Sequence, residues 1–161
     1  MSRRAPIRRR RDGRFTVELP GAFRQAFRDL AGELVELVTN EDPTSDAAMA
    51  RLFPAAYPDD PLQELEYEHA AHDGLLAGRI DAVRTVERTA DARDLSEDEL
   101  LAWMAVANDL RLVMGTRLEV TEESGEEDFT GGDRDTYELY LMLSGVVELI
   151  VQALGEPAAG R

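Results

Sequence analysis

The sequence contains no cysteine and no lysine. Without cysteine there is no disulfide framework, no thiolate ligand for zinc, no thiol nucleophile and no thiol-based redox sensor within this chain. Serine is scarce as well. Only Ser2, Ser45, Ser96, Ser124 and Ser144 are present, and none lies in a GxSxG elbow. No GxGxxG or phosphate-cradling loop occurs. No apolar run reaches the roughly 18 residues that span a bilayer. The longest, Tyr140 to Val151, is short and interrupted by Glu148. The arginine-rich start lacks the apolar segment of a secretory signal. These absences argue against an enzyme and against a membrane protein, and they imply a cytoplasmic location.

What is present is charge, unevenly placed. The net charge is −15 over 161 residues. Residues 1–14 hold seven arginines and one acid, a balance of +6, and the remaining residues carry −21. A basic arm thus precedes an acidic body. All 18 basic residues are arginine, which with the alanine richness is a GC-rich codon signature before it is a functional one. Dense like charge without periodicity predicts a disordered arm over 1–13. A single helical domain is expected over 14–155, with a frayed tail over 156–161. That length suits one domain with a core of its own.

Within the body, the apolar period changes from two to 3.6. Phe15, Val17 and Leu19 alternate with polar residues, the pattern of a half-buried strand. Phe23, Phe27, Leu30, Leu34 and Leu37 then recur at helical spacing. A short helix is expected after Thr44, with Met49, Leu52 and Phe53 together. Asp60-Pro61 is a helix start, an acid at the N-cap and proline at the first turn. Gly74 and Gly78 weaken the helix that follows and predict a kink or a break near Gly74. Ser96-Glu97-Asp98-Glu99 is a capping box, and Leu100, Trp103, Ala107, Leu110 and Met114 form the stripe behind it. Gly115 is expected as a left-handed C-cap. Leu118 and Val120 alternate with polar residues and predict a second strand, paired with Phe15–Leu19. Asp133 is expected to cap a last helix that is apolar on most of its circumference. Such a helix is the centre of a bundle or packs on a second copy of the chain. The fold class is therefore mainly α, a bundle of about five helices with a minor two-stranded β element around Phe15–Leu19 and Leu118–Val120.

Three constellations could carry chemistry. His69 and His72, with Asp73 and Glu66, have spacings that gather metal ligands on one helix face. They are not an HExxH motif, and an acidic helix produces such spacings readily. No metal or other cofactor is expected. The arginines of the arm, Arg8, Arg9, Arg10 and Arg11, could neutralise phosphates and give salt-sensitive nucleic-acid contact. The acidic body would repel the same DNA, and no basic recognition helix is visible. The acidic run Glu122–Asp128 reads as a solvated loop, or as a docking strip for a basic partner. Asn108 and Arg111, three apart, face the same way. Arg117 could pair with Glu18 across the expected strands.

The stretch Trp103 to Leu118, containing Asn108-Asp109-Leu110-Arg111 and Gly115-Thr116-Arg117, resembles the most distinctive segment of an actinobacterial family long catalogued as a domain of unknown function. Members of that family are often labelled AosR-type oxidative-stress transcriptional regulators. Gly13-Arg14-Phe15, Arg51-Leu52-Phe53-Pro54 to Tyr57, Asp59-Asp60-Pro61 and Tyr137 to Leu154 agree in order. The resemblance implies a helical, non-enzymatic regulator that associates with transcription machinery, RNA polymerase or a stress sigma factor, and influences thiol-metabolism and oxidant-defence genes. It makes Trp103, Asn108, Asp109, Arg111 and Arg117 candidate site residues. The disulfide sensing described in that family has no counterpart here. A homodimer is expected. The rival readings are an interaction adaptor unrelated to transcription and a metal-dependent helical enzyme.

Overall fold

The computed structural model describes residues 3–40, Leu52 and residues 60–157, with backbone only at Asn40, Pro61 and 64–73. Among the described residues there are four α-helices: α1 (Gly21–Asn40), α2 (Pro61–Thr89), α3 (Glu97–Arg117) and α4 (Gly131–Gly155). A three-stranded antiparallel sheet, β1 (Ile7–Arg9), β2 (Phe15–Val17) and β3 (Asp94–Leu95), runs in the order β1-β2-β3. The chain is mainly helical with a minor sheet, as its periodicities predict. The helix expected after Thr44 lies outside the described residues.

Helix starts follow the local chemistry. The Asp60 side chain accepts from the Gln63 amide at the start of α2. Ser96 Oγ accepts from the Glu99 amide at 3.1 Å, and Glu99 accepts from the Ser96 amide at 3.2 Å, completing the capping box of α3. The last helix begins earlier than expected. Thr130 occupies the cap position, and Asp133 lies in the first turn, where its charge still favours the positive end of the helix dipole. Helix α2 runs unbroken past Gly74. Its packing on α1 and α3 outweighs the propensity cost of about 1 kcal/mol per glycine.

The core forms where α1, α3 and the sheet meet. Trp103, Phe15, Phe27, Leu95 and Leu100 are fully enclosed. The Phe27 ring stands edge-on to Trp103 at 5.3 Å and stacks on Phe23 at 5.6 Å. Helix α4 contributes Leu143, Val146, Ile150 and Ala153 to the core. Its outer side exposes Leu141, Met142 and Val151. By length and composition alone α4 could cross a bilayer. Its inner face packed on α3 and β1 gives the same apolar residues a place in a globular core.

Three further expectations fail. Leu118–Val120 is not a strand. Val120 N–H bonds to Gly115 O at 2.9 Å and Glu119 N–H to Thr116 O at 3.2 Å, so these residues wrap the end of α3 in a Schellman turn. The left-handed position in that turn is Glu119, with φ 55°, not Gly115. Gly115 lies inside α3, where a Cβ would meet the Tyr140 ring at 3.0 Å; its bare backbone lets α4 approach. The arm is the third correction. Ile7 is buried and paired with Val17, so the segment expected to be disordered supplies a strand.

Candidate interaction site

The arginine arm folds back on its own acidic body. Arg10 to Arg14 close a tight turn, with Gly13 at φ +83°. Alternation in β1 turns Ile7 and Arg9 inward and Arg8 outward. Arg8 pairs with Glu18 at 2.9 Å, which holds the Glu18 carboxyl below its ordinary value. The Arg9 guanidinium lies over the Phe15 ring, its Cζ 4.8 Å from the ring centroid. The same group reaches the carboxyl end of α4, donating to Leu154 O at 3.0 Å, and lies 3.7 Å from Glu97. A cation is favoured at that end of a helix. The Arg9 amide donates to Glu156, so Glu156, expected in the frayed tail, is anchored. Arg10 and Arg14 share Asp94 at 3.4 and 2.6 Å. Only Arg3, Arg4 and Arg11 of the arm form no ion pair among the described residues.

The motif residues of α3 diverge. Trp103 is fully buried, and its indole N–H donates to Thr89 Oγ1; it is a core residue and offers no surface to a partner. Arg111 donates to Asn108 at 2.8 Å, as their spacing suggests. Asp109 turns toward α2, where Arg79 Nε lies 3.1 Å from its carboxylate. Burial pushes the Asp109 carboxyl up, against the opposing pull of Arg79. Arg117 is exposed at the end of α3. The pairing expected for it fails, because Glu18 is held by Arg8 on the sheet and Leu118–Val120 is no strand. These five side chains do not converge on a reacting centre. His69, His72, Asp73 and Glu66 fall on α2, but their side chains lie outside the described residues. Among the described residues no cluster of three metal-ligating side chains occurs.

Two features escaped the sequence pattern. One is Arg24, buried among apolar neighbours on α1. Its guanidinium donates to Val17 O at 2.8 Å, Leu19 O at 3.2 Å, Ala90 O at 2.7 Å and Ala92 O at 2.8 Å. It ties β2, the start of α1 and the end of α2 together. Its only sequence signal is a charge three residues from Phe27, beside the apolar stripe.

The other is an open groove of about 400 Å³ between α1, the end of α3 and the start of α4. Leu30, Leu34 and Leu37 form one wall, Leu110, Val113 and Met114 the floor, and Leu139 the far side. Glu33, Asp133 and Arg117 stand at its edge. The acidic loop connects two of its lining residues, Leu118 and Asp133. That loop is ordered: Ser124 Oγ accepts from the Thr121 amide at 2.8 Å, Tyr137 donates to Ser124 O at 3.3 Å, and Phe129 stacks on Tyr137 at 4.5 Å. Glu122, Glu123, Glu126, Glu127 and Asp128 are left exposed.

Fold and groove together define a small helical module with an acidic, partly apolar surface. The chain belongs to the family described as a domain of unknown function (DUF2017), whose model matches residues 3–154. No curated protein and no solved structure matches it.

Proposed function

We propose that this protein is a non-enzymatic regulator that acts by contact with other proteins. Its partners in this reading are components of the transcription machinery, RNA polymerase or a stress sigma factor. Its output is expression of oxidant-defence and thiol-metabolism genes, as in the AosR-type regulators it resembles. The supporting observation is the internal pairing of Arg8, Arg9, Arg10 and Arg14 with Glu18, Glu97, Asp12 and Asp94. Charge spent on the chain's own carboxylates contributes little to phosphate neutralisation. A protein of net charge −15 attracts basic protein surfaces and is repelled by DNA. The apolar outer side of α4, with Leu141, Met142 and Val151, is where a second copy would pack in the expected homodimer.

The test is affinity capture of the full-length chain from its native cytosol, with stress transcripts measured in a deletion strain. Recovery of a sigma factor or polymerase subunit supports the reading. Failure to capture any transcription protein, with unchanged stress transcripts, overturns it. A chain with Arg3, Arg4 and Arg11 replaced by alanine separates nucleic-acid contact from folding. Truncation of residues 1–13 does not, because it removes the buried Ile7.

A further inference from the structure

We infer that the groove between α1, α3 and α4 is a docking site for a short amphipathic helix with basic flanks. The inference rests on the protein-contact reading above and names the chemistry of the partner. Leucines at 30, 34 and 37 follow helical spacing along one wall, and the wall from Leu30 to Leu37 is about 10 Å long at 1.5 Å per residue. That length accommodates two turns of a helix lying alongside. A folded chain leaves a concave, leucine-lined surface of this kind open when a partner's apolar face completes it.

The charge at the edges selects the flanks. Glu33 and Asp133 border the groove, and among the described residues Arg117 is the one basic residue lining it. Five exposed carboxylates of the 122–128 loop follow from the Leu118 end; Arg134 lies 3.5 Å from one of them, Glu126. Helix α1 has no basic residue in its last turn, so the negative end of its dipole adds to the same field. An acidic helix or a nucleic acid would meet like charge there. A leucine-bearing helix with lysine or arginine on its polar side meets apolar surface in the groove and opposite charge along the edge.

The probe is a labelled synthetic helix of leucine and lysine, with the leucines on one face. Its binding to full-length protein is followed by fluorescence anisotropy at low and at physiological salt. A matched helix of leucine and glutamate is the counter-probe. The paired variant Glu33→Lys with Asp133→Lys reverses the edge charge at exposed positions. The control Asp81→Lys with Glu87→Lys makes the same change in net charge at exposed positions of α2 that are not among the described residues lining the groove. Binding of the lysine helix is expected to weaken about tenfold or more in the groove variant and to stay within about twofold in the control. The glutamate helix should not bind.

Equal loss in both variants would reduce the effect to overall charge and overturn the site. So would equal binding of both helices, or no binding of the lysine helix. A dimer in sedimentation that the groove variant dissociates would give the groove to a second copy instead. If the lysine helix fails while the wild-type chain still captures a transcription protein, the groove inference falls and the regulator reading stands. If the helix binds in the groove and no transcription protein is captured, the reverse holds.

Discussion

The indole N–H of Trp103 donates to the hydroxyl of Thr89 at 2.8 Å, at a point where both residues are buried. Thr89 in turn donates to Thr85 O at 2.6 Å, so the hydroxyl serves both groups. Thr89→Val keeps the shape and removes the acceptor. The indole N–H is then a buried donor without a partner, at a cost of about 1–3 kcal/mol. Urea unfolding followed by the fluorescence of this single tryptophan measures the loss directly. A change below about 0.5 kcal/mol would mean that the indole finds another acceptor.

Arg24 is expected to be harder to replace. It satisfies four carbonyl oxygens from two segments, residues 17–19 and 90–92, and burial lowers its pKa. Lysine offers one ammonium in place of a planar fork. Arg24→Lys should therefore cost at least about 2 kcal/mol, the scale of a hydrogen bond to a charged group with its partner left buried. Thermal unfolding of the two chains decides it. Wild-type stability in the lysine variant would show that charge alone is required at this position, and not the fork.

These two residues mark how far the sequence could be read. Trp103 sits on an apolar stripe of helical period, and its burial was legible. The same held for the Asp60 and Ser96 caps, because a cap is a local pattern of four residues. Arg24 was not legible, since two of its acceptors, just past the end of α2, lie more than sixty residues away and leave no periodic trace. Strand β1 was hidden by composition. One buried isoleucine among arginines reads as a solvated arm until the carboxylates that pair with them are known. Strand β3 has two residues, too few for alternation, and Leu118 with Val120 offered a longer but false pattern. The groove draws its walls from three separate helices, at residues 30–37, 110–118 and 133–139. Only its separate leucines were visible, as core.

The turn after α3 makes a separate point about backbone conformation. Glu119 adopts a left-handed conformation, with φ 55°, in a position usually given to glycine. Its side chain is exposed, so little packing is lost on replacement. Glu119→Gly should raise stability by about 1 kcal/mol, the penalty a residue with a Cβ carries there. Gly115→Ala should do the opposite. Its new methyl meets the Tyr140 ring edge at 3.0 Å, and the ring has to give by a few tenths of an ångström against its packing. Melting temperatures of the two variants should move in opposite directions. Two shifts of the same sign would place the left-handed strain, or the close approach, elsewhere.

Asp109 and Arg79 bring pH into the contact between α2 and α3. Both side chains are largely enclosed, and burial raises the Asp109 carboxyl despite the guanidinium 3.1 Å away. A carboxyl raised in the folded state binds its proton more tightly than in the unfolded chain. Its contribution to stability is then present at low pH and lost as pH rises from the ordinary carboxylate range through the raised value. Arg79→Met removes the opposing charge and the bond to Leu52 O. At neutral pH it leaves a buried carboxylate without that cation, at a cost of about 3–5 kcal/mol. On acidification Asp109 takes up a proton, the charge disappears, and the gap from wild type should narrow. Asp109→Asn in the same background should abolish the pH dependence of the gap while retaining an acceptor. Urea titrations of the three chains across the acid range measure this. A gap that stays constant with pH would mean that the Asp109 carboxyl holds its proton equally tightly with and without Arg79, so that the guanidinium exerts no pull on it.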